Sequence, residues 1–164
     1  MVINATSAMA DEVENLLNRG IDYARRGDLD RAIADWTAVL RINPNHSDAL
    51  FNRGLAYYNK SDFDRAITDM TAGLRIRPDY AKALNTRGSA YLSKGDFDKA
   101  IADFTASILI DPNDYVPMFN RSIAYYNKGD YRNAISDSET VLKININHND
   151  AKRLILMANI QLGN

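Results

Sequence analysis

The stretch "FNRGLAYYNK" at residues 51–60 returns almost unchanged as "FNRSIAYYNK" at residues 119–128. The two copies begin 68 residues apart, which is twice 34. A spacing that divides in this way is typical of a chain built from short internal repeats. The copies therefore indicate that a structural unit of 34 residues recurs along the chain.

Other residues recur with the same period. The series are the small residues Gly20, Gly54, Gly88 and Ser122, the tyrosines Tyr23, Tyr57, Tyr91 and Tyr125, the alanines Ala32, Ala66, Ala100 and Ala134, and the prolines Pro44, Pro78 and Pro112. Each series advances by 34 residues, so the repeat extends well beyond the two quoted copies.

Each unit is predicted to form a helix, a turn and a second helix. In the second unit, Leu50, Gly54 and Tyr57 lie at the spacing of one helix face. Asp62 follows the turn and is a good N-cap for the second helix. That helix ends before Pro78, because proline disfavours helical backbone in the residue ahead of it. A single pair of this kind buries its apolar face only by stacking on its neighbours.

The pattern "L..RG.AY...GDFD.AI.D......I.P" resembles the tetratricopeptide repeat. The resemblance implies an all-α, right-handed superhelical solenoid of helix-turn-helix repeats, with the first helices on the concave side. It predicts one domain over residues 1–164, with repeats at 13–46, 47–80, 81–114 and 115–148 and a capping helix at 149–163. The repeats look most like those of bacterial members.

The fourth repeat departs from this pattern at two places. Ile146 stands where proline is expected, and Ser138 stands where a large apolar residue is expected. We therefore expect looser packing or a modified turn near the C-terminus.

Two series of charged residues are complete across the four repeats. They are Arg19, Arg53, Arg87 and Arg121 in the first helices and Asp35, Asp69, Asp103 and Asp137 in the second helices. We interpret them as ion pairs between neighbouring helices that hold the layers in register. The alternative is two independently solvated stripes, and exposed pairs would contribute only about 0–1 kcal/mol each.

The resemblance places two apolar patches on the concave groove. Phe51, Leu55 and Tyr58 form one patch, and Phe119, Ile123 and Tyr126 form its twin. If each repeat advances by about 10 Å, the twins lie about 20 Å apart. An extended peptide would span that distance with roughly six residues.

Asparagines add a second groove feature. Asn18, Asn52 and Asn120 share one position of the repeat, and Asn85 is one residue away from it. An amide side chain both donates and accepts, so it can hold a peptide backbone without reading its sequence; the alternative is that asparagine is merely common at this position. The predicted peptide-binding residues are Asn18, Phe51, Asn52, Leu55, Tyr58, Lys82, Asn85, Phe119, Asn120, Ile123 and Tyr126.

The family's basic clamp for a C-terminal carboxylate is not expected here. Asn52 and Lys82 match it, but Leu17, Ile21 and Thr86 stand where a lysine, an asparagine and an arginine are needed. A chaperone tail is therefore not a predicted partner.

Several functional classes are disfavoured by composition. The net charge of −1 disfavours a nucleic-acid partner, and the absence of cysteine excludes thiolate chemistry and cysteine metal sites. No apolar run is long enough to insert in a membrane. His46 and His148 occupy equivalent turns and are interpreted as solvated rather than catalytic or metal-binding. We expect no enzyme, no metal and no cofactor.

The predicted function is a scaffold or adaptor that binds an extended segment of a partner protein. One alternative is self-assembly into a homo-oligomer through the groove or the apolar capping helix around Leu156 and Ile160. Another is an auxiliary domain of a larger secretion or enzyme complex. We expect a cytoplasmic location, or an exported, periplasmic one if "SAMA" before Asp11 is the remnant of a signal peptide.

Overall fold

The computed structural model describes residues 5–163, and all regular structure in that range is helical. The chain divides into two compact units, the first ending at Pro78 and the second beginning at Asp79. The first unit contains α1 (Ala5–Arg25), α2 (Leu29–Ile42), α3 (Ser47–Asn59) and α4 (Phe63–Ile76). The second contains α5 (Ala81–Ser93), α6 (Phe97–Ile110), α7 (Tyr115–Lys128), α8 (Tyr131–Ile144) and α9 (Asn149–Leu162).

The predicted all-α fold of helix-turn-helix repeats is confirmed. Helices α3, α5, α7 and α9 begin at residues 47, 81, 115 and 149, where the repeats and the cap were predicted to begin. Helix α1 is the exception, because it starts at Ala5, well before the predicted repeat start at residue 13. The assignment of residues 1–164 to one domain stays a prediction.

Each turn inside a repeat has a residue with left-handed backbone followed by an aspartate, and in the first, second and fourth repeats the side chain of that aspartate caps the next helix. Gly27, Gly95 and Gly129 have φ between 80° and 85°, which costs glycine nothing. In the second repeat Ser61 adopts φ 61° at the same place. Asp62 then accepts a hydrogen bond from the backbone N–H of Arg65 at 3.1 Å, as its N-cap role predicts.

Glycines allow the two helices of a repeat to cross closely. A Cβ atom at Gly88 would lie 2.8 Å from Cε1 of Phe104, and one at Gly20 would lie 2.8 Å from Cε2 of Trp36. Both distances are too short for real carbon atoms, so the large side chain of the second helix fills the space that glycine leaves. The fourth repeat solves the same problem with two small residues, since Ser122 and Ser138 are both fully buried.

The expectation of a modified turn after α8 is wrong. The residue after α8, Asn145, has φ −132° and ψ 91°, and the corresponding Asn43 has φ −132° and ψ 93°. In both turns the asparagine Oδ1 accepts a backbone N–H two residues later, at 3.1 Å from Asn45 and 3.2 Å from Asn147. This side-chain bond fixes the turn whether or not proline is present.

The predicted ion pairs are confirmed in all four repeats. Each arginine forms a bidentate ion pair with its aspartate, with N–O distances of 2.7 to 2.8 Å. The guanidiniums of Arg53 and Arg121 also donate to Thr37 and Thr105 of the preceding repeat, so they link neighbouring layers. The hydrogen bond to Asp69 raises the pKa of Arg53, and the bond to Asp137 raises that of Arg121.

Candidate functional site

Helices α1 and α3 of the first unit enclose a cleft of about 290 Å³. Its lining residues are Ile21, Ala24, Arg25, Leu29, Trp36, Asn52, Leu55, Ala56 and Asn59. Two of the predicted peptide-binding residues, Asn52 and Leu55, therefore lie together on its wall. Asn18 is exposed on α1 and is not among the lining residues.

Phe51 is not on an open groove, contrary to expectation. Its side chain is only 5% exposed. Helix α4 has no side chain at Gly73, and a Cβ there would lie 2.8 Å from Cδ1 of Phe51, so the ring packs into the space that glycine leaves. The guanidinium of Arg77 lies over the ring, 4.8 Å from its centroid. Phe51 thus belongs to the core and leaves Leu55 as the exposed apolar residue of its patch.

The tyrosines of the two patches are half-buried against the second helix of their own repeat. The ring centroids of Tyr58 and Phe63 are 5.7 Å apart, and those of Tyr126 and Tyr131 are 5.3 Å apart. Both tyrosines have part of their surface exposed, and their rings are held by these aromatic contacts.

In the second unit, predicted asparagines of α5 and α7 bond to each other. Asn120 Nδ2 donates to Asn85 Oδ1 at 3.1 Å and lies 3.5 Å from the Ser89 hydroxyl. Ser89 in turn donates to the carbonyl of Asn85 at 2.8 Å. The network holds both amides in fixed orientations on a half-buried surface. Lys82, on the same helix as Asn85, is exposed.

Phe119 remains half-buried beside the capping helix, and Ile123 is half-buried as well. The ring of His148 lies 4.4 Å from that of Phe119 and 5.5 Å from that of Tyr115. Phe119 also packs on the cluster that contains the buried Val141.

The two histidines are helix caps, which corrects their interpretation as solvated turn residues. His148 Nδ1 accepts from the backbone N–H of Ala151 at 3.1 Å, and His46 Nδ1 accepts from that of Ala49 at 3.4 Å. Both imidazoles are half-buried because they cover the N-termini of α9 and α3.

The cleft also contains residues outside the predicted peptide-binding set. Trp36 lies beneath the cleft and is 3% exposed, with its indole N–H donating to the carbonyl of Leu17 at 3.3 Å. Ala24 and Leu29 lie at the end of α1 and the start of α2. The sequence contains one signal of this cleft: Ala24 is small, whereas the residues at the same position of the other repeats are the larger Tyr58, Leu92 and Tyr126.

Charge is sparse around the cleft. Arg25 is the one charged residue among its described lining residues, and it lies 3.6 Å from Asp22 on the exposed side of α1. The aspartates near the turns make local bonds instead: the side chain of Asp28 caps α2, and that of Asp96 pairs with Lys99. The backbone N–H of Arg31 lowers the pKa of Asp28, and the side chain of Lys99 lowers that of Asp96.

Within residues 5–163, no cluster of three or more histidine, cysteine, aspartate or glutamate side chains is arranged to hold a metal ion. Across that same range, no helix combines the length and the apolar character that a membrane span requires.

Models of the tetratricopeptide repeat match residues 17–81, 81–114 and 117–148. By structure, the chain resembles MamA of Desulfovibrio magneticus RS-1, with 20% identity, a TM-score of 0.90 and coverage of 94% of this chain and 88% of that one. Another MamA crystal structure shares 23% identity at a TM-score of 0.85, covering 88% of this chain and 84% of that one. A tetratricopeptide repeat protein of Parabacteroides merdae ATCC 43184 shares 22% identity at 0.84, covering 93% and 61%. These identities show the fold alone, and no curated protein matches the sequence.

Proposed function

Because this chain belongs to the tetratricopeptide repeat family of protein–protein interaction scaffolds, we propose that the first helices of its repeats bind extended segments of partner proteins. The observation that carries the proposal is the α1–α3 cleft, which brings Asn52 and Leu55 together above the buried Trp36. We also infer that the protein is not an enzyme, since its buried aspartates are held in the repeated ion pairs.

The cleft of the first unit has the composition of a peptide-binding surface. Its interior is apolar, and Leu55 is 44% exposed on its wall. Asn52 and Asn59 add amide groups that can donate to a peptide carbonyl and accept from a peptide N–H. An apolar interior with a few polar groups at defined places is typical of ligand sites.

The second unit supports backbone binding in a different way. Asn85 Nδ2 and Asn120 Oδ1 take no part in the bond between the two asparagines. Asn85 Nδ2 can donate to a peptide carbonyl, and Asn120 Oδ1 can accept from a peptide N–H. The bond between the side chains already restricts their rotation, so less conformational entropy is lost when a ligand binds.

The proposal can be tested by selecting peptides from a random displayed library on the intact chain. Leu55→Ser and Asn120→Ala are expected to lose most of the selected peptides. Ile76→Ser is the matched control for the first, because Ile76 is also 44% exposed but lies at the end of α4. Asn113→Ala, in the exposed turn before α7, is the control for the second. Selection of no peptide, or equal retention by all four variants, would contradict the proposal.

Self-association through α9 is a second candidate function. Leu156 and Ile160 lie one helical turn apart and are 62% and 63% exposed. Such an exposed apolar stripe favours contact with another copy of the chain. Sedimentation velocity over a range of concentrations should show a dimer that Leu156→Ser/Ile160→Ser abolishes and that Leu109→Ser on α6 does not. A monomer at every concentration would exclude this candidate.

A further inference from the structure

The first repeat lacks an aromatic pair that two other repeats place between their first and second helices. The second repeat packs Tyr58 on Phe63, and the fourth packs Tyr126 on Tyr131. The corresponding residues of the first repeat are Ala24 and Leu29, which both line the cleft. The first repeat thus has a hollow of about 290 Å³ beside the position that carries a tyrosine in the second and fourth repeats.

We propose that this hollow binds the aromatic side chain of a phenylalanine or tyrosine in a partner peptide. The inference rests on the proposed peptide-binding function and names the residue that the first unit recognises. The volume lies at the low end of the range for ligand pockets, so it suits a single side chain better than a larger molecule.

The floor of the hollow is held in place before a ligand arrives. Trp36 is almost fully buried, its indole N–H bonds to the carbonyl of Leu17, and its ring fills the space left by Gly20. Ile21 and Leu55 form opposite walls on α1 and α3. An incoming ring would therefore contact an aromatic floor and aliphatic walls that need little rearrangement.

The charge at the rim also favours an aromatic ring. Arg25 lies at the rim, and no carboxylate is among the described lining residues. Its ion pair with Asp22 is long, so the guanidinium can turn toward the cleft. A guanidinium is attracted to the face of a ring. The same chain already uses this contact, with Arg65 lying 4.5 Å from the centroid of Tyr57.

The test uses the intact chain and capped pentapeptides, Gly-Gly-Phe-Gly-Gly and the same sequence with alanine in place of phenylalanine. Two-dimensional NMR should show saturable shifts of the Trp36 indole N–H and the Leu55 methyl groups with the phenylalanine peptide only. Ala24→Tyr fills the hollow with the chain's own ring and should weaken binding by about tenfold or more. Ala34→Tyr, on the exposed face of α2, is the matched control and should bind as the unmodified chain does.

Ala24→Leu is a second filling variant, which introduces the residue found at the corresponding Leu92 of the third repeat, in case the tyrosine perturbs folding by circular dichroism. The inference is overturned if both peptides shift Trp36 equally, if neither does, or if the folded filling variants keep full binding. It is also overturned if the displayed library yields peptides without aromatic enrichment, in which case peptide binding itself would still stand.

Discussion

The two near-identical stretches at residues 51–60 and 119–128 begin with phenylalanines in different surroundings. Phe51 is 5% exposed and packs where Gly73 leaves space on α4. Phe119 is half-buried beside His148. The residue that corresponds to Gly73 is Val141, which is fully buried in the cluster on which Phe119 packs. The side chain of Val141 occupies the space on α8 into which the Phe119 ring would otherwise pack.

The burial of these two phenylalanine rings depends on the helix that faces them. The ten-residue stretches that begin at Phe51 and Phe119 differ only at Gly54/Ser122 and Leu55/Ile123, so they do not by themselves explain the difference in burial. The second helices differ at the position 22 residues further along, where Gly73 stands in one repeat and Val141 in the other, and the guanidinium of Arg77 also covers the Phe51 ring. Replacing the residues on either side of this contact should therefore change the two sites by different amounts.

Truncating the two phenylalanines should have the largest effect. Phe51→Ala is expected to lower the free energy of unfolding by about 3–5 kcal/mol, since it empties a buried site. Phe119→Ala should cost less, about 1–2 kcal/mol, because part of that ring is already in water. Urea denaturation followed by circular dichroism measures both. Equal losses would contradict the difference in burial.

Gly73→Val should convert the Phe51 site into a site like that of Phe119. The new side chain overlaps the Phe51 ring, so the ring must move outward, at a cost of about 1–3 kcal/mol. The measurement is the urea midpoint together with the fluorescence of Trp36, the single tryptophan of the chain. Ala34→Val on the exposed face of α2 is the control and should cost less than about 1 kcal/mol.

The arginines of the two stretches should behave alike, unlike the phenylalanines. The side chains of Arg53 and Arg121 are 19% and 18% exposed, and both pair with an aspartate at 2.7 Å. Replacing either by methionine should cost about 1.5–3 kcal/mol, because it leaves a buried carboxylate without its partner. Arg19→Met also removes the partner of a buried aspartate, Asp35, but should cost less, because Arg19 is 59% exposed and water already reaches that ion pair. Unequal losses for Arg53 and Arg121 in denaturation would show that the two ion pairs are not equivalent.

The turns that follow the two stretches should respond in opposite directions. Ser61 has φ 61° and Gly129 has φ 85°, a region where a side chain is strained. Ser61→Gly should stabilise the protein by up to about 1 kcal/mol, and Gly129→Ser should destabilise it by a similar amount. Thermal unfolding would reveal the sign of each change, and a loss of stability in Ser61→Gly would argue against strain there.

The smallest expected effect is an acid dependence at Asp62, the N-cap that follows the first stretch. The side chain of Arg65 lowers the pKa of Asp62. The stability from this cap is therefore fully present above the pKa of the unfolded carboxyl, about 4, and is lost as the pH falls through the lower folded value. Unfolding curves between about pH 6 and pH 2 should be less pH-dependent in Asp62→Asn than in the unmodified chain.

Much of the fold could be predicted because its signals are local and repeated. Glycine or serine at the turns, aspartate at the caps and proline or asparagine between repeats each act within a few residues. The residues of the turns and caps precede α2, α4, α6 and α8, and the proline or asparagine between repeats precedes α3, α5, α7 and α9. The Arg–Asp pairs were predictable for the same reason, since both series keep a constant separation of 16 residues.

The part of α1 ahead of residue 13 was not predicted, whereas α3 and α9 begin directly after the histidine caps His46 and His148. The candidate site was predicted only in part. Asn52 and Leu55 meet in one cleft, and Asn85 and Asn120 bond to each other. The peptide-binding role of these residues stays a prediction.

The repeat, the helices and the ion pairs follow from the amino-acid sequence, because their causes lie within one repeat and recur in each. The burial of Phe51, the half-burial of Phe119 and the cleft beside Ala24 depend on how the helices pack. The physical reason is that the space open to a side chain is set by the residue facing it. A glycine, a valine or an alanine on the neighbouring helix changes that space without changing the local pattern.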